Sequence, residues 1–275
     1  MANFICTAVN PHLYQITDAM GVSMYLLIGR ERAFLFDTGY GLTGLRDAVE
    51  TLTPLPVTVL LTHGHIDHAF GIYEFDTVFM SPLDAETYQM HSDPTFQSEF
   101  RHGVNPECDK LTFQKPRLVE FHNIADEQIF DLGGLHVKAI HVPGHTKGTM
   151  VFLLVEDRIM LFGDACGPNT MIMEDCSATI SEYYNALLRV KQYESEYDLI
   201  LRCHGTCRSP KELLDNVLEV CRSILEGKDD HVLLPELFQK MFWSKLPEVP
   251  LCYSARSDAS QGPEGNINYR EDKAR

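Results

Sequence analysis

The chain has 275 residues, enough for one or two domains, and its 44% hydrophobic and 23% charged content is that of a globular protein. Thirty-nine acidic against 23 basic residues leave a formal charge of −16, a field that repels nucleic acid and anionic membranes unless a basic patch overrides it. No Lys/Arg run offers such a patch, and the longest apolar stretches (57–61 and 151–155) fall far short of the roughly 18 residues that span a bilayer. The opening Met-Ala-Asn-Phe-Ile-Cys has neither the basic nor the apolar region of a secretory signal. A cytoplasmic protein is expected, with no nucleic-acid or membrane partner; its oligomeric state is left open. The eight cysteines are scattered without a CxxC pair, which reads as reduced thiols packed as small hydrophobes.

In chain order, 25–28 and 33–36 are apolar runs separated by Gly29-Arg-Glu-Arg32, which predicts two strands. Leu42, Leu45, Val49 and Leu52 follow at helical spacing, and the β-branched run at 57–61 predicts a strand buried on both faces. Residues 82–117 are polar and helix-prone and lie between two halves of the chain as a cap-like insert. Strands are expected at 137–142, 150–155 and 158–162, then a helix over 180–193 opened by the capping box Thr179-Ile-Ser-Glu182. A buried strand at 199–201 precedes a helix with Ser209 as N-cap, Pro210 in its first turn and Gly227 at its end. The tail from Lys228 is Pro-rich and irregular, and its final residues are expected either to fray or to fold back as an edge strand through 266–269.

The two halves echo each other. Ala-Phe-Leu-Phe-Asp37, a helix and Leu-Leu-Thr-His63-Gly-His65 parallel Met-Leu-Phe-Gly-Asp164, a helix and Leu-Arg-Cys-His204-Gly205. Each half ends its strands on polar residues, at the edge where open α/β sheets build their sites. This predicts a four-layer αβ/βα sandwich of two mixed sheets flanked by helices.

Thr62-His63-Gly64-His65-Ile66-Asp67-His68 directly follows a predicted strand. Three imidazoles and a carboxylate in six residues form a dense array of metal ligands. His63 and His65, two residues apart in an extended turn, face the same side, while Asp67 and His68 begin the next helix and aim elsewhere. A loop of that geometry can feed two metals. His145 in Pro143-Gly-His-Thr, Asp164 after Gly163, and His204 in Cys-His-Gly each occupy the same kind of position, a turn after a strand.

These motifs, with Asp37-Thr38-Gly39 before them, resemble those of the metallo-β-lactamase-fold hydrolase superfamily over roughly residues 12 to 227, in the order that family uses. The resemblance implies an α/β fold with a dinuclear site: His63, His65 and His145 on one ion, Asp67, His68 and His204 on the other, and Asp164 bridging. Residues 1–227 would form the catalytic domain and 228–275 an extension packed on it. Two divalent ions about 3.5–4 Å apart give hydroxide at neutral pH and polarise a carbonyl or phosphoryl oxygen. Asp67 would orient the attacking group and pass its proton to the leaving group. Asp37 is expected to accept from a ligand imidazole rather than to ligate. Zinc is the default ion for such ligands, and iron or manganese also suit them.

Within that family, the charge and the small insert favour a thioester, lactone or related ester of the hydroxyacylglutathione hydrolase or lactonase type. A phosphodiesterase or nuclease is the alternative, and a metal-free scaffold a distant third. Weaker candidates are Tyr40, Tyr183 and Tyr184 as oxyanion donors, for each of which packing is the simpler role. His136 and His141 are expected to be structural, and Cys166 and Cys203 to adjoin ligands without reacting. Tyr88, Phe96 and Phe100 of the insert, with Phe238, Phe242 and Trp243 of the tail, are candidates for an apolar lid.

Overall fold

The computed structural model describes residues 3–235, 249–254 and 265–275. Its first sheet takes its strands in chain order: β1 (Phe4–Ala8), β2 (Leu13–Asp18), β3 (Ser23–Ile28), β4 (Ala33–Phe36), β5 (Val57–Leu60), β6 (Val78–Met80) and β7 (Phe121–Asn123). β1 to β4 pair antiparallel and β4 to β7 parallel, so the sheet is mixed. The second sheet contains β8 (Ile129–Asp131), β9 (His136–His141), β10 (Met150–Leu154), β11 (Ile159–Gly163), β13 (Leu199–Arg202) and β14 (Arg208–Ser209). Here only β11 and β13 pair in parallel. A third sheet joins β12 (Asn169–Ile172), β15 (Val232–Leu233), β16 (Leu251–Ser254) and β17 (Asn266–Arg270).

Side-chain alternation assigns each strand face to a layer. Along β10, Met150, Phe152 and Leu154 enter the core between the two large sheets, where they meet Tyr25, Phe34 and Phe36. Val151 and Leu153 point the other way, onto helices α5 (Ile180–Lys191) and α6 (Leu213–Leu225). Met24, Leu26 and Leu35 likewise leave the first sheet outward, onto α1 (Leu45–Glu50) and α2 (Ile66–Ala69). Helix, sheet, sheet, helix is the predicted four-layer order. Each fully buried side chain of this size contributes about 1.5–3 kcal/mol, so the three clusters fix the sandwich and with it the strand ends.

The predicted echo is visible as two parallel crossovers, β4–α1–β5 and β11–α5–β13. The capping box of α5 forms in both directions. Three expectations need correction. The helix begun at Leu42 is shorter, because Gly41 and Gly44 take left-handed conformations (φ 85° and 89°) and Leu42 instead bridges to Phe113. Ser209 does not cap α6: it pairs with Ile200 in β14 and its hydroxyl accepts from Arg202 Nε at 2.9 Å, so the helix opens at Leu213. Finally, β17 is not an edge strand, since β12 and β16 flank it. The insert supplies α3 (Ala85–His91) and α4 (Pro94–Val104), with Tyr88, Phe96 and Phe100 against the outer core of the first sheet. Phe238, Phe242 and Trp243 lie outside the described residues. Among those described, no helix is long and apolar enough to cross a membrane.

Candidate metal centre

All seven predicted ligands converge. β5 delivers His63 and His65 on the turn before α2, and α2 carries Asp67 and His68 in its first turn. The turns after β9, β11 and β13 supply His145, Asp164 and His204. The ligand atoms of His63, His65 and His145 all lie within 4.8 Å of one another, as do those of Asp67, His68, Asp164 and His204. Asp164 Oδ2 stands between the two sets, 3.8 Å from His145 Nε2, 3.4 Å from His68 Nε2 and 3.2 Å from His204 Nε2.

The hydrogen bonds behind these rings decide which nitrogen faces inward. His68 Nδ1 donates to Asp37 Oδ2 at 2.8 Å, and His145 Nδ1 to the Met171 carbonyl at 2.8 Å. Neither oxygen can donate, so each ring's Nε2 keeps a free lone pair. The Thr62 hydroxyl gives its proton to Asp37 Oδ2 (2.8 Å) and so accepts from His63 Nδ1 (2.9 Å), which frees His63 Nε2 as well. That nitrogen sits 3.1 Å from His65 Nδ1, and His68 Nε2 sits 3.3 Å from His204 Nε2. Imidazole nitrogens brought together at such distances, with the rings of His63, His68 and His145 fixed from behind, are a donor set that fits divalent cations. Asp37 thus accepts from the imidazole of His68. Its backbone is held at φ 62°, and it also accepts from Thr62 N–H at 2.7 Å.

The two sets differ in charge. Burial, then the neighbouring imidazoles, hold His63 and His65 well below the ordinary histidine range, so both rings present neutral lone pairs. In the other set burial disfavours charge, but Asp164 and Asp67 outweigh it and push His204 up to about 10. Asp164 is held well below the carboxylate range by His204 and His68 against its own burial. This half of the site attracts positive charge.

Three neighbours of the centre were not foreseen. Asp84, fully buried at the start of α3, accepts from Gly64 N–H (2.8 Å), Gly148 N–H (2.9 Å) and the Thr146 hydroxyl (2.9 Å). It therefore ties the His63–His65 turn to the His145 turn. Both glycines are required: a Cβ on Gly148 would lie 2.4 Å from Asp84 Oδ1, and one on Gly64 2.9 Å from its carbonyl oxygen. Glu174 Oε2 lies 3.6 Å from His65 Nε2, and His91 stacks on the His65 ring at 4.8 Å. A Pro-Leu-Asp sequence at a helix start looks like ordinary capping, and only tertiary structure brings Gly148 to it.

A cavity of about 360 Å³ opens over the cluster, walled by Tyr40, Phe100, Val104 and Met171 beside the ligands. Tyr40 and Phe100 therefore face the site, their rings 6.4 Å apart. Tyr183 does not: it is fully buried and its hydroxyl donates to the Ala165 carbonyl. Tyr184 packs against the α5–α6 core. His136 pairs with Glu156, and His141 with the Lys147 carbonyl. Cys203 lies buried behind the site, its thiol 3.5 Å from Asp37 Oδ2, and Cys166 lines the cavity.

A sandwich with candidate ligands gathered from strand ends of both large sheets defines a class, and the family comparison agrees: residues 17–204 match the model of the metallo-beta-lactamase superfamily. The chain belongs to that superfamily of hydrolases, whose members bind divalent metals. Among individual proteins, it is 34% identical over 130 residues to an uncharacterised protein of Mycobacterium tuberculosis, a match covering 45% of this chain and 55% of that one. It is 25% identical over 189 residues to the acyl-coenzyme A thioesterase MBLAC2 of Homo sapiens, covering 61% and 66% of the two chains. The chain thus spans between about half and two thirds of these relatives. The metallo-beta-lactamase FIM-1 from Pseudomonas aeruginosa, solved in a mono-zinc form, shares the fold with a TM-score of 0.57 at 17% identity, over 81% of this chain and 96% of that one.

Proposed function

We propose that this chain is a metal-dependent hydrolase of small-molecule thioesters or related esters, including lactones. The observation that carries this reading is the convergence of seven metal-binding side chains, five of which line a cavity whose remaining wall is largely apolar. An acyl chain fits such a wall. The thioesterase name of the human relative supports the thioester over the phosphodiester alternative.

His63, His65 and His145 would hold one ion, and Asp67, His68 and His204 a second, with Asp164 shared; zinc suits these ligands best. Bound there, the ions would lower the pKa of water and stabilise negative charge developing on the carbonyl oxygen. The chain's own groups do the rest. Asp37, Thr62 and the Met171 carbonyl keep His68, His63 and His145 in the tautomer that ligates. Asp67 lines the cavity with Oδ2 3.3 Å from His204 Nε2, placed to orient a water molecule toward the acyl carbon. As the carbon–oxygen bond forms and the carbon–sulfur or ester bond breaks, Asp67 takes the water's proton and passes it to the leaving group. Phe100, Val104 and Tyr40 shelter the acyl chain from solvent.

The test is metal analysis followed by assay of metal-replete protein on thioesters, lactones and bis-aryl phosphodiesters. Turnover of the first or second class is expected. Preference for the phosphodiesters would overturn the ester reading, and less than one bound ion per chain would overturn the metal centre.

A further inference from the structure

The insert carries a donor that the metal ligands leave unused. His91 ends α3 with its ring 2% exposed, stacked on His65 at an interplanar angle of 10° and flanked by Phe96 at 4.5 Å. The backbone N–H of Ile66 donates to His91 Nδ1 at 3.0 Å. A backbone N–H can only donate, so Nδ1 presents its lone pair and the proton of the neutral ring sits on Nε2. Nε2 is buried and has no hydrogen-bond partner among the described residues; Glu174 Oε2 is 4.0 Å away, beyond reach.

That tautomer decides between two uses. His65, His91 and Glu174 lie close enough together for a third metal set. An Nε2 that carries the ring proton has no lone pair for a cation, so the set does not serve as one. What remains is an unpartnered N–H donor on a residue that lines the cavity, buried at a cost unless an acceptor reaches it as the wall adjusts to a bound chain.

We propose that His91 is a specificity-determining residue that donates its Nε2–H to an uncharged oxygen, keto or hydroxyl, on the acyl chain of the substrate. This rests on the ester and thioester reading above. The ring stacks on His65 and belongs to neither of the two ligand sets, so the oxygen we assign to it is one other than the scissile carbonyl's. Glu174 Oε2, 4.0 Å away, sets a carboxyl group beside that point, which favours an uncharged oxygen there over an anionic one. A site built around a polar partner discriminates strongly against the analogue that lacks it.

The experiment uses the metal-loaded protein and thioether analogues of acyl thioesters, which cannot be hydrolysed. Saturated, 3-oxo and 3-hydroxy chains of equal length are compared by titration calorimetry. The wild type is expected to bind an oxygenated analogue at least about tenfold tighter than the saturated one, and the preferred analogue distinguishes keto from hydroxyl. His91→Phe keeps the stacking and abolishes the preference. His91→Gln, whose amide both accepts from Ile66 and donates, restores part of it with unchanged metal content. No preference in the wild type, or the same preference in His91→Phe, overturns the proposal. Should His91→Phe lose metal, His91→Gln decides: a retained preference supports the donor and a lost one overturns it. Thioester turnover is measured in parallel, and its absence would sink the hydrolase reading while leaving the binding comparison readable.

Discussion

Removing the Asp84 carboxylate offers a quantitative test of how the two ligand turns are joined. Asp84→Ala deprives the Gly64 and Gly148 N–H groups of their acceptor in a fully buried setting. The Thr146 hydroxyl is less affected, because Thr149 Oγ1 lies 2.8 Å from it and can replace the bond. Two buried, unsatisfied backbone donors cost about 1–3 kcal/mol each, so a loss of about 2–6 kcal/mol is expected. At this chain size that lowers Tm by roughly 5–20 °C. Asp84→Asn is milder: its oxygen can still accept from Gly64 and Thr146, and its amide nitrogen faces only Gly148, for about 1–3 kcal/mol. Burial already pushes the Asp84 carboxyl above the usual range, so neutralising it removes a desolvation penalty as well. Denaturant and thermal unfolding, with and without chelator, should give the order wild type, Asn, Ala. Metal affinity should fall in the same order, since Gly64 sits between His63 and His65. Equal midpoints for all three proteins, or an Asn variant as damaged as the Ala variant, would refute the view of Asp84 as a clamp.

Asp67→Asn keeps shape but removes basicity, so kcat should fall by about 10²–10⁴; near-wild-type turnover with full metal would exclude the proton-transfer role. His145→Ala and His204→Ala should each lower metal content measured on the purified protein, because they draw on different ligand sets, and two full equivalents in both variants would sink the dinuclear assignment. Phe100→Ala opens the apolar wall, so KM should rise more for long than for short acyl substrates with metal content intact; an equal effect on both lengths, or only a lower Tm, would make Phe100 a packing residue.

The candidate ligands could be read from the chain because they follow strands whose apolar runs are local, and because four of the seven fall within six residues. The α5 capping box was readable for the same reason, both partners lying three residues apart. What escaped depends on distant chain. Ser209 carries a helix-capping signature, yet Arg202 and Ile200 claim its side chain and backbone for the second sheet. Asn266-Ile-Asn-Tyr269 has a strand's composition, but nothing local says that two neighbours will enclose it. Asp84, Glu174 and His91 look like ordinary polar residues of a helix start, a loop and a helix end. Their roles arise from partners that only the fold brings near.

Strand β12 is held on one side by β17, with Met171 opposite Asn268, and the Met171 carbonyl fixes the His145 ring. The tautomer of one proposed ligand thus hangs on a parallel pairing between segments far apart in sequence. Such pairings close late, after the entropy of a long loop has been overcome. On this reasoning the sandwich can be largely assembled while His145 still rotates freely. A cation arriving early would then meet the four candidate ligands of the first turn in place and His145 still undecided. If the ions are acquired only as the third sheet is completed, a refolding trace followed by metal uptake should lag behind one followed by formation of the two large sheets.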